Sequence, residues 1–281
     1  MLWRQLLRPL GVAGPTVPRS MNDRSVEVAV LGPVEVRGRE HGFRRSAALE
    51  LVVYLAFHRR GVRNTEWPLA IWPDRAVAAS TVHSTVSDAR RSLGRGADGA
   101  DHLSRGPRLH LGSAVTTDAD RFAGLASSDD PRSLNRALEL VRGPLFAGLR
   151  HGDWSVVEGT QAALESMIVE TARRAVEGHL GLGRLLDAER AARAALTGCP
   201  YDERLYRLLL QVTAAMGNRV GLRRTMAELV TRAADWPLGP RCPGRECRHE
   251  SRQDLLDPET LSFYRELCEW EPAPKGSRAR L

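Results

Sequence analysis

Residues 78–93, AASTVHSTVSDARRSL, followed across a glycine-rich gap (GRGADGAD, residues 94–101) by residues 102–111, HLSRGPRLHL, decide the fold. In the first stretch Val82, Val86, Ala89 and Leu93 recur at spacings of four, three and four, which places them on one face of a helix. The opposite face then carries Ser80, Thr81, Ser84, Ser87, Asp88 and Arg91. In the second stretch two short alternating arms flank Arg105-Gly106-Pro107, the pattern of a β-hairpin.

Working outward, VEVAVLGPVEVR (residues 26–37) alternates apolar and polar around Gly32-Pro33 and reads as two short strands joined by a tight turn. SAALELVVYLAFH (residues 46–58) is apolar over most of its circumference, as a central buried helix should be. TEWPLAIWPD (residues 65–74) reads as a short second helix with Asn64 as N-cap and Pro73 as its stop, although Pro68 interrupts it. Strand, strand, three helices and a hairpin is the order of a winged helix, spanning residues 25–117.

Past Asp118 the strand signals vanish. Helical periodicity predicts helices over residues 131–141, 153–180, 185–196, 202–216, 220–233 and 258–267. In the long second one Val157, Leu164, Ile168, Ala172, Ala175 and His179 fall on one side. Two helix pairs look like degenerate tetratricopeptide repeats, whose period is about 34 residues. Counting back from Pro200, Ala188 and Ala195 occupy positions where two helices approach closely, and Tyr206, Leu209 and Gly217 stand at matching offsets in the succeeding unit. The expected fold is mainly α: an N-terminal winged helix (α+β, three helices with β-hairpins) followed by an all-α tetratricopeptide-like bundle, residues 118–235. The expectation for the rest is an extension at residues 1–24, an insertion loop at 236–257, a C-terminal helix at 258–270 and a disordered tail at 271–281.

The chain has 281 residues and a formal net charge of +7. Its basic residues are arginines except Lys275, a bias that fits a high-G+C bacterial genome and also suits forked contacts to phosphate. Residues 1–125 hold 18 Arg against 12 acids, so most of the surplus falls in the winged-helix half, where a polyanion partner would need it. No stretch approaches the roughly 20 unbroken apolar residues of a membrane helix, and a cytoplasmic protein with no membrane partner is expected.

Five stretches carry a resemblance to a known family: RRSAALELVVYLAFH (residues 44–58), LAIWPD (69–74), STVHSTVSDARRSLG (80–94), LVRGPLFAGL (140–149) and CPYDERLYRLLLQ (199–211). They resemble the SARP-type bacterial activators, in which an OmpR-like winged helix precedes a bacterial transcriptional activator domain. The helical half is also similar to activator-domain segments of LysM-containing proteins from high-G+C bacteria. The resemblance implies promoter binding by the third helix and wing, and a helical domain that contacts RNA polymerase, another regulatory protein or a second copy of itself. Trp67-Pro68 departs from the family's smooth second helix. No receiver domain precedes the winged helix, so switching by a phosphorylated aspartate of this chain is not expected.

Winged helices lay one helix in the major groove, where outward side chains meet base edges and neighbouring groups hold phosphates. The candidate DNA contacts are therefore Thr81, His83, Ser84, Ser87 and Arg91 on the third helix, Arg105 and Arg108 at the wing, and Arg44 and Arg45 ahead of the first helix. Arg90 is expected to turn toward the protein. Cys242, Cys247 and His249 (CPGRECRH) lack the second ligand pair of a structural zinc site, so no metal or cofactor is expected. The chain contains no P-loop, no nucleophile elbow and no zinc-protease helix. Asp118-Asp120 and Asp129-Asp130 read as caps or solvated turns, and Trp67, Trp72, Trp154 and Tyr206 as packing residues. No enzyme is expected. Two readings stand: a DNA-binding transcriptional regulator, or a protein-interaction scaffold whose winged helix no longer binds DNA specifically.

Overall fold

The computed structural model describes residues 25–235 and 255–269. The expected extension at 1–24, the tail at 271–281, Cys242, Cys247 and His249, and most of the expected insertion lie outside the described residues. The chain divides into two compact units. Of the described residues, one unit comprises 25–128 together with Glu139–Met167, and the other Asp129–Leu138, 168–235 and 255–269.

In the first unit, β1 (Val26–Ala29) and β2 (Glu35–Arg37) pair antiparallel, with Val28 opposite Val36. Helix α1 (Ser46–Phe57) follows, buried from Leu51 through Phe57, as an all-round apolar pattern requires. Next come β3 (Val62–Arg63), α2 (Trp67–Ile71), α3 (Ala79–Leu93), β4 (Arg108–Leu109) and β5 (Val115–Thr117). β5 joins β1 in parallel to give the sheet order β2-β1-β5, while β4 pairs antiparallel with β3. The hairpin closes through the Leu103–Leu111 bridge and the Ser104 N–H, which donates to the His110 carbonyl at 3.0 Å.

Helix α2 begins at Trp67, so Pro68 falls in the first turn, where its missing N–H has no intrahelical partner to lose. The residue before the helix is Glu66. Asn64 is not its cap; its Oδ1 accepts from Trp67 Nε1 at 3.5 Å.

The polar stripe of α3 needs one correction. Asp88 faces inward and is buried. Its Oδ2 accepts the backbone N–H groups of both Arg44 and Arg45 at 2.9 Å, and its Oδ1 accepts Arg91 Nη2 at 2.6 Å. Arg45 is the N-cap residue of α1 and has no side-chain cap of its own, so a carboxylate from α3 supplies the acceptor that the start of α1 lacks. Burial pushes the Asp88 carboxyl up, but the hydrogen bonds from Arg91, Arg45 and Arg44 outweigh it and hold its pKa below the usual carboxylate range.

A second buried carboxylate closes the sheet. Helix α4 (Asp118–Ala126) starts at a capping box between Thr117 and Asp120. Asp120 is thus the cap that the sequence suggests, whereas Asp118 is not solvated: it is 1% exposed. Its Oδ1 accepts the Val30 N–H at 2.8 Å and its Oδ2 the Leu31 N–H at 3.1 Å, two donors left over where β1 ends. Burial raises the Asp118 carboxyl pKa in spite of those donors.

The 140–149 stretch completes this unit. Arg142 N–H and Phe146 N–H donate to the Leu31 and Val30 carbonyls, and Phe146 packs edge-on against Phe57 and Trp154. Helix α6 (Asp153–Val157), which follows α5 (Pro131–Leu138) of the second unit, contributes that Trp154. On α1, Glu50 Oε1 accepts the Arg150 N–H, and the Tyr54 hydroxyl donates to Glu158 Oε1.

Helix α7 (Thr160–Gly181) is separate from α6. Gly159, at φ +73°, breaks the continuous helix expected over residues 153–180. Val157 therefore leaves the apolar side assigned to it and is 84% exposed, while Leu164, Ile168, Ala172, Ala175 and His179 are buried. α5 stops at Leu138 rather than at 141.

The second unit continues with α8 (Leu185–Gly198), α9 (Glu203–Ala215), α10 (Arg219–Ala234) and α11 (Pro258–Glu269). The repeat is explicit in the backbone. Gly183 (φ +68°) and Gly217 (φ +69°) stand 34 residues apart, each in the turn that ends one helix and starts the next. The Arg184 N–H donates to the His179 carbonyl, and the Asn218 N–H to that of Thr213, at the same offset. Ala188, Ala191, Ala192 and Ala195 line the buried side of α8, where α5 and α9 both approach; the repeat-equivalent positions Leu222 and Leu229 are larger. α11 lays Leu261, Phe263, Tyr264 and Leu267 over Tyr206, Leu210, Ala214, Leu222, Met226 and Leu229.

The two carboxylates make distinct predictions. Asp118→Ala strands two buried N–H donors and should cost about 3 kcal/mol of stability in denaturant unfolding, with Asp118→Asn costing less because it keeps an acceptor. A loss below about 0.5 kcal/mol would show that these donors find other partners. For Asp88 the folded pKa is depressed, so its stabilisation is complete above the ordinary carboxylate pKa of about 3.9 and disappears as pH falls through the folded value. The melting temperatures of wild type and Asp88→Asn should therefore differ at pH 7 and converge at strongly acidic pH; a pH-independent gap contradicts the assignment.

Candidate nucleic-acid interface

Helix α3 is held on two sides through its C-terminal half. At its C-terminal half, Asp88 and Arg91 tie it to the entry of α1, with Arg91 Nη2 also donating to the Gly42 carbonyl at 2.9 Å. On the side toward the hairpin, Arg90 Nε and Nη2 donate to the carbonyls of Leu103 and Ser104 at 3.3 and 2.8 Å. Arg90 thus turns toward the protein, where it holds the hairpin to the helix.

These anchors fix which side of α3 faces outward. Thr85, Val86, Asp88, Ala89, Ser92 and Leu93 are buried. Ser80, His83 and Ser87 are exposed and fall at spacings of three and four, with Thr81, Ser84 and Arg91 half-buried at the margins. Ser84 is partly occupied: its hydroxyl donates to the Thr81 carbonyl at 3.0 Å. Ala78, the residue before α3, supplies no side-chain cap, so the first N–H groups of the helix, at Ala79 and Ser80, are open to an outside acceptor, whereas the Thr81 N–H donates to the Ala78 carbonyl at 2.9 Å.

The arginines divide into two kinds. Arg44 and Arg45 are exposed, their backbone is held by Asp88, and neither guanidinium makes a salt bridge with a described residue. Arg91, Arg105 and Arg108 are each engaged. Arg91, 32% exposed, neutralises Asp88. Arg105 Nε donates to Asp101 Oδ2 at 2.7 Å, and Asp101 also takes Arg95 Nε at 3.1 Å; the Arg105 hydrogen bond is the leading cause of the lowered Asp101 pKa. Arg108 Nη1 donates to the Gly61 carbonyl at 2.6 Å across the β3–β4 pair.

Of the nine candidate contacts, five lie on α3, two are tied to that helix through Asp88, and two belong to the hairpin that Arg90 fastens to it. Asp88, which positions seven of them, lies in a polar stripe that gives no sign of burial. The one available hint was the pair Asp88 and Arg91 at i and i+3.

Among the described residues no group of three or more His, Cys, Asp or Glu side chains is arranged to hold a metal ion. No described helix is long and apolar enough to cross a membrane.

Residues 117–221 match the family model of the bacterial transcriptional activator domain. Among solved structures the chain is similar to Mycobacterium tuberculosis EmbR, determined in complex with a low-affinity phosphopeptide, at 22% sequence identity and a TM-score of 0.56, over 90% of this chain and 67% of that one. At that identity the likeness is one of fold. No curated protein matches the chain in sequence. Residues 117–221 therefore carry a bacterial transcriptional activator domain.

Proposed function

We propose that this protein is a cytoplasmic, DNA-binding transcriptional regulator. Its α3 reads promoter DNA in the major groove, and its helical unit contacts RNA polymerase, another regulatory protein or a second copy of the chain. The observation that carries the reading is the outward face of α3, with Ser80, His83 and Ser87 exposed on a helix immobilised by Asp88 and Arg90. A helix that reads bases must present polar side chains on a rigid support, because a loose helix cannot hold hydrogen-bond geometry to base edges.

The roles divide by chemistry. His83 and Ser87, with Thr81 and Ser84 beside them, meet base edges. Arg44 and Arg45, exposed and without an acidic partner among the described residues, hold phosphates together with the uncapped start of α3. Arg91 acts by positioning α3. Arg105 and Arg108 each commit one guanidinium nitrogen, to Asp101 and to the Gly61 carbonyl, and keep their remaining N–H donors for the backbone beside the groove.

That internal engagement favours the second reading, a scaffold that has lost specific DNA binding, since it leaves few uncommitted cations on this face. Fluorescence anisotropy of promoter fragments over a salt series separates the two. A DNA-reading regulator should lose about one unit of salt slope for each phosphate contact removed in Arg44→Ala/Arg45→Ala. Ser87→Ala should instead relax sequence preference, with the loss of each good base contact worth about 1–3 kcal/mol. A weak, sequence-independent affinity that neither substitution changes would replace this reading with the scaffold.

A further inference from the structure

Within the second unit, the start of α5, the end of α7 and the start of α8 meet at one buried histidine. His179, in the last turn of α7, is fully buried, and among the described residues neither of its ring nitrogens has a hydrogen-bond partner of ordinary geometry. A second polar side chain at this junction is only half satisfied. Asn135 of α5 donates from Nδ2 to the Asp187 carbonyl of α8 at 3.3 Å, while its Oδ1 is buried and accepts from no described residue. The helices leave no slack here: a side-chain carbon added at Gly178 would stand 2.5 Å from Pro131 Cγ.

An imidazole in such a place is tolerated as the neutral ring and not as the cation. The charged groups that act on it are Asp187 in the first turn of α8, Arg184 in the turn between α7 and α8, and Asp130 just ahead of α5; the Pro131 carbonyl also faces the ring. Burial pushes the His179 pKa below the ordinary imidazole range and outweighs the two carboxylates and the carbonyl, which favour a proton, while Arg184 opposes one. Asp187 is also drawn away by Arg190, at 2.8 Å. The helix that this junction seats is an insert: the residues on either side of 129–138 belong to the first unit, and Leu134, Asn135, Ala137 and Leu138 of α5 are buried in the second.

We propose that α5 is a proton-released clasp of the helical unit: with His179 neutral it stays seated on α7 and α8, and when the ring takes up a proton the cation moves out to water and α5 unseats, uncovering Leu134 and Leu138. The sign follows from the burial. The seated form binds the proton more weakly than the released form, so seating is complete above the ordinary imidazole pKa of about 6.5 and weakens as pH falls from there toward the folded value. The clasp is independent of DNA binding by α3.

Hydrogen–deuterium exchange of the full chain tests this, read by mass spectrometry on peptides from α5 and from α9 between about pH 7.5 and about pH 5 and expressed relative to the unstructured rate at each pH. In the wild type the α5 amides should lose protection by up to about tenfold for each pH unit below about 6.5, while the α9 amides keep theirs. His179→Gln and His179→Leu, two uncharged replacements of which either suffices should the other not fold, should remove that pH dependence. Gly178→Ala, which forces Pro131 away from α7, should lower α5 protection at every pH. Constant α5 protection across the range, the same decline in the His179 variants, loss of α9 protection in step with α5, or unchanged α5 protection in Gly178→Ala would overturn the inference.

Discussion

A single buried carboxylate organises the first unit. Asp88 receives the two backbone N–H groups at the entry of α1 and the guanidinium of Arg91, and so locks α3 against the helix that forms the unit's core. An acceptor with three donors in a buried place is stable only while all three are present. The orientation of α3, the exposure of His83 and Ser87, and the backbone positions of Arg44 and Arg45 are all consequences of that node. Arg91, which looks in the sequence like a base-reading residue, is the counter-charge that makes the buried carboxylate tolerable.

Asp118 solves the matching problem at the sheet. β1 ends with two N–H groups that no strand accepts, and the first residue of α4 accepts both. The residue therefore belongs physically to the first unit, although it lies inside the 117–221 stretch that matches the activator-domain family. The same holds for the 140–149 segment, whose Phe146 packs against α1. The family's sequence unit and the folding unit thus do not coincide: the activator stretch supplies part of the packing that holds the sheet-and-helix unit together.

Much of this was legible in the residues. The alternation of residues 26–37, the all-round apolar run that became α1 and the spacing of Val86, Ala89 and Leu93 report burial directly, because many positions repeat the same signal. The tetratricopeptide-like pairing was legible through Ala188, Ala195, Tyr206, Leu209 and Gly217 counted against the repeat length, while the matching turns at Gly183 and Gly217 show only in the backbone. Signals carried by one or two residues were not. β3 and β5 are two and three residues long, too short for any alternation. Gly159 breaks a helix where a glycine is often tolerated. Asp88 and Asp118 look like any solvated acid until the N–H groups they accept, which lie 43 to 88 residues away in sequence, are brought beside them. The candidate DNA contacts were legible as a set, but their division into free and engaged arginines depends on those same long-range partners.

The account's central claim is that the exposed face of α3 reads DNA sequence. Affinity selection of fragmented genomic DNA by the purified full chain, followed by sequencing, tests it most directly, with His83→Ala/Ser87→Ala as the control because both side chains are exposed and bear no structural load. The account predicts enrichment of a shared motif by the wild type and its loss in the control. Absence of any motif, or the same motif recovered equally by a folded control, would contradict it.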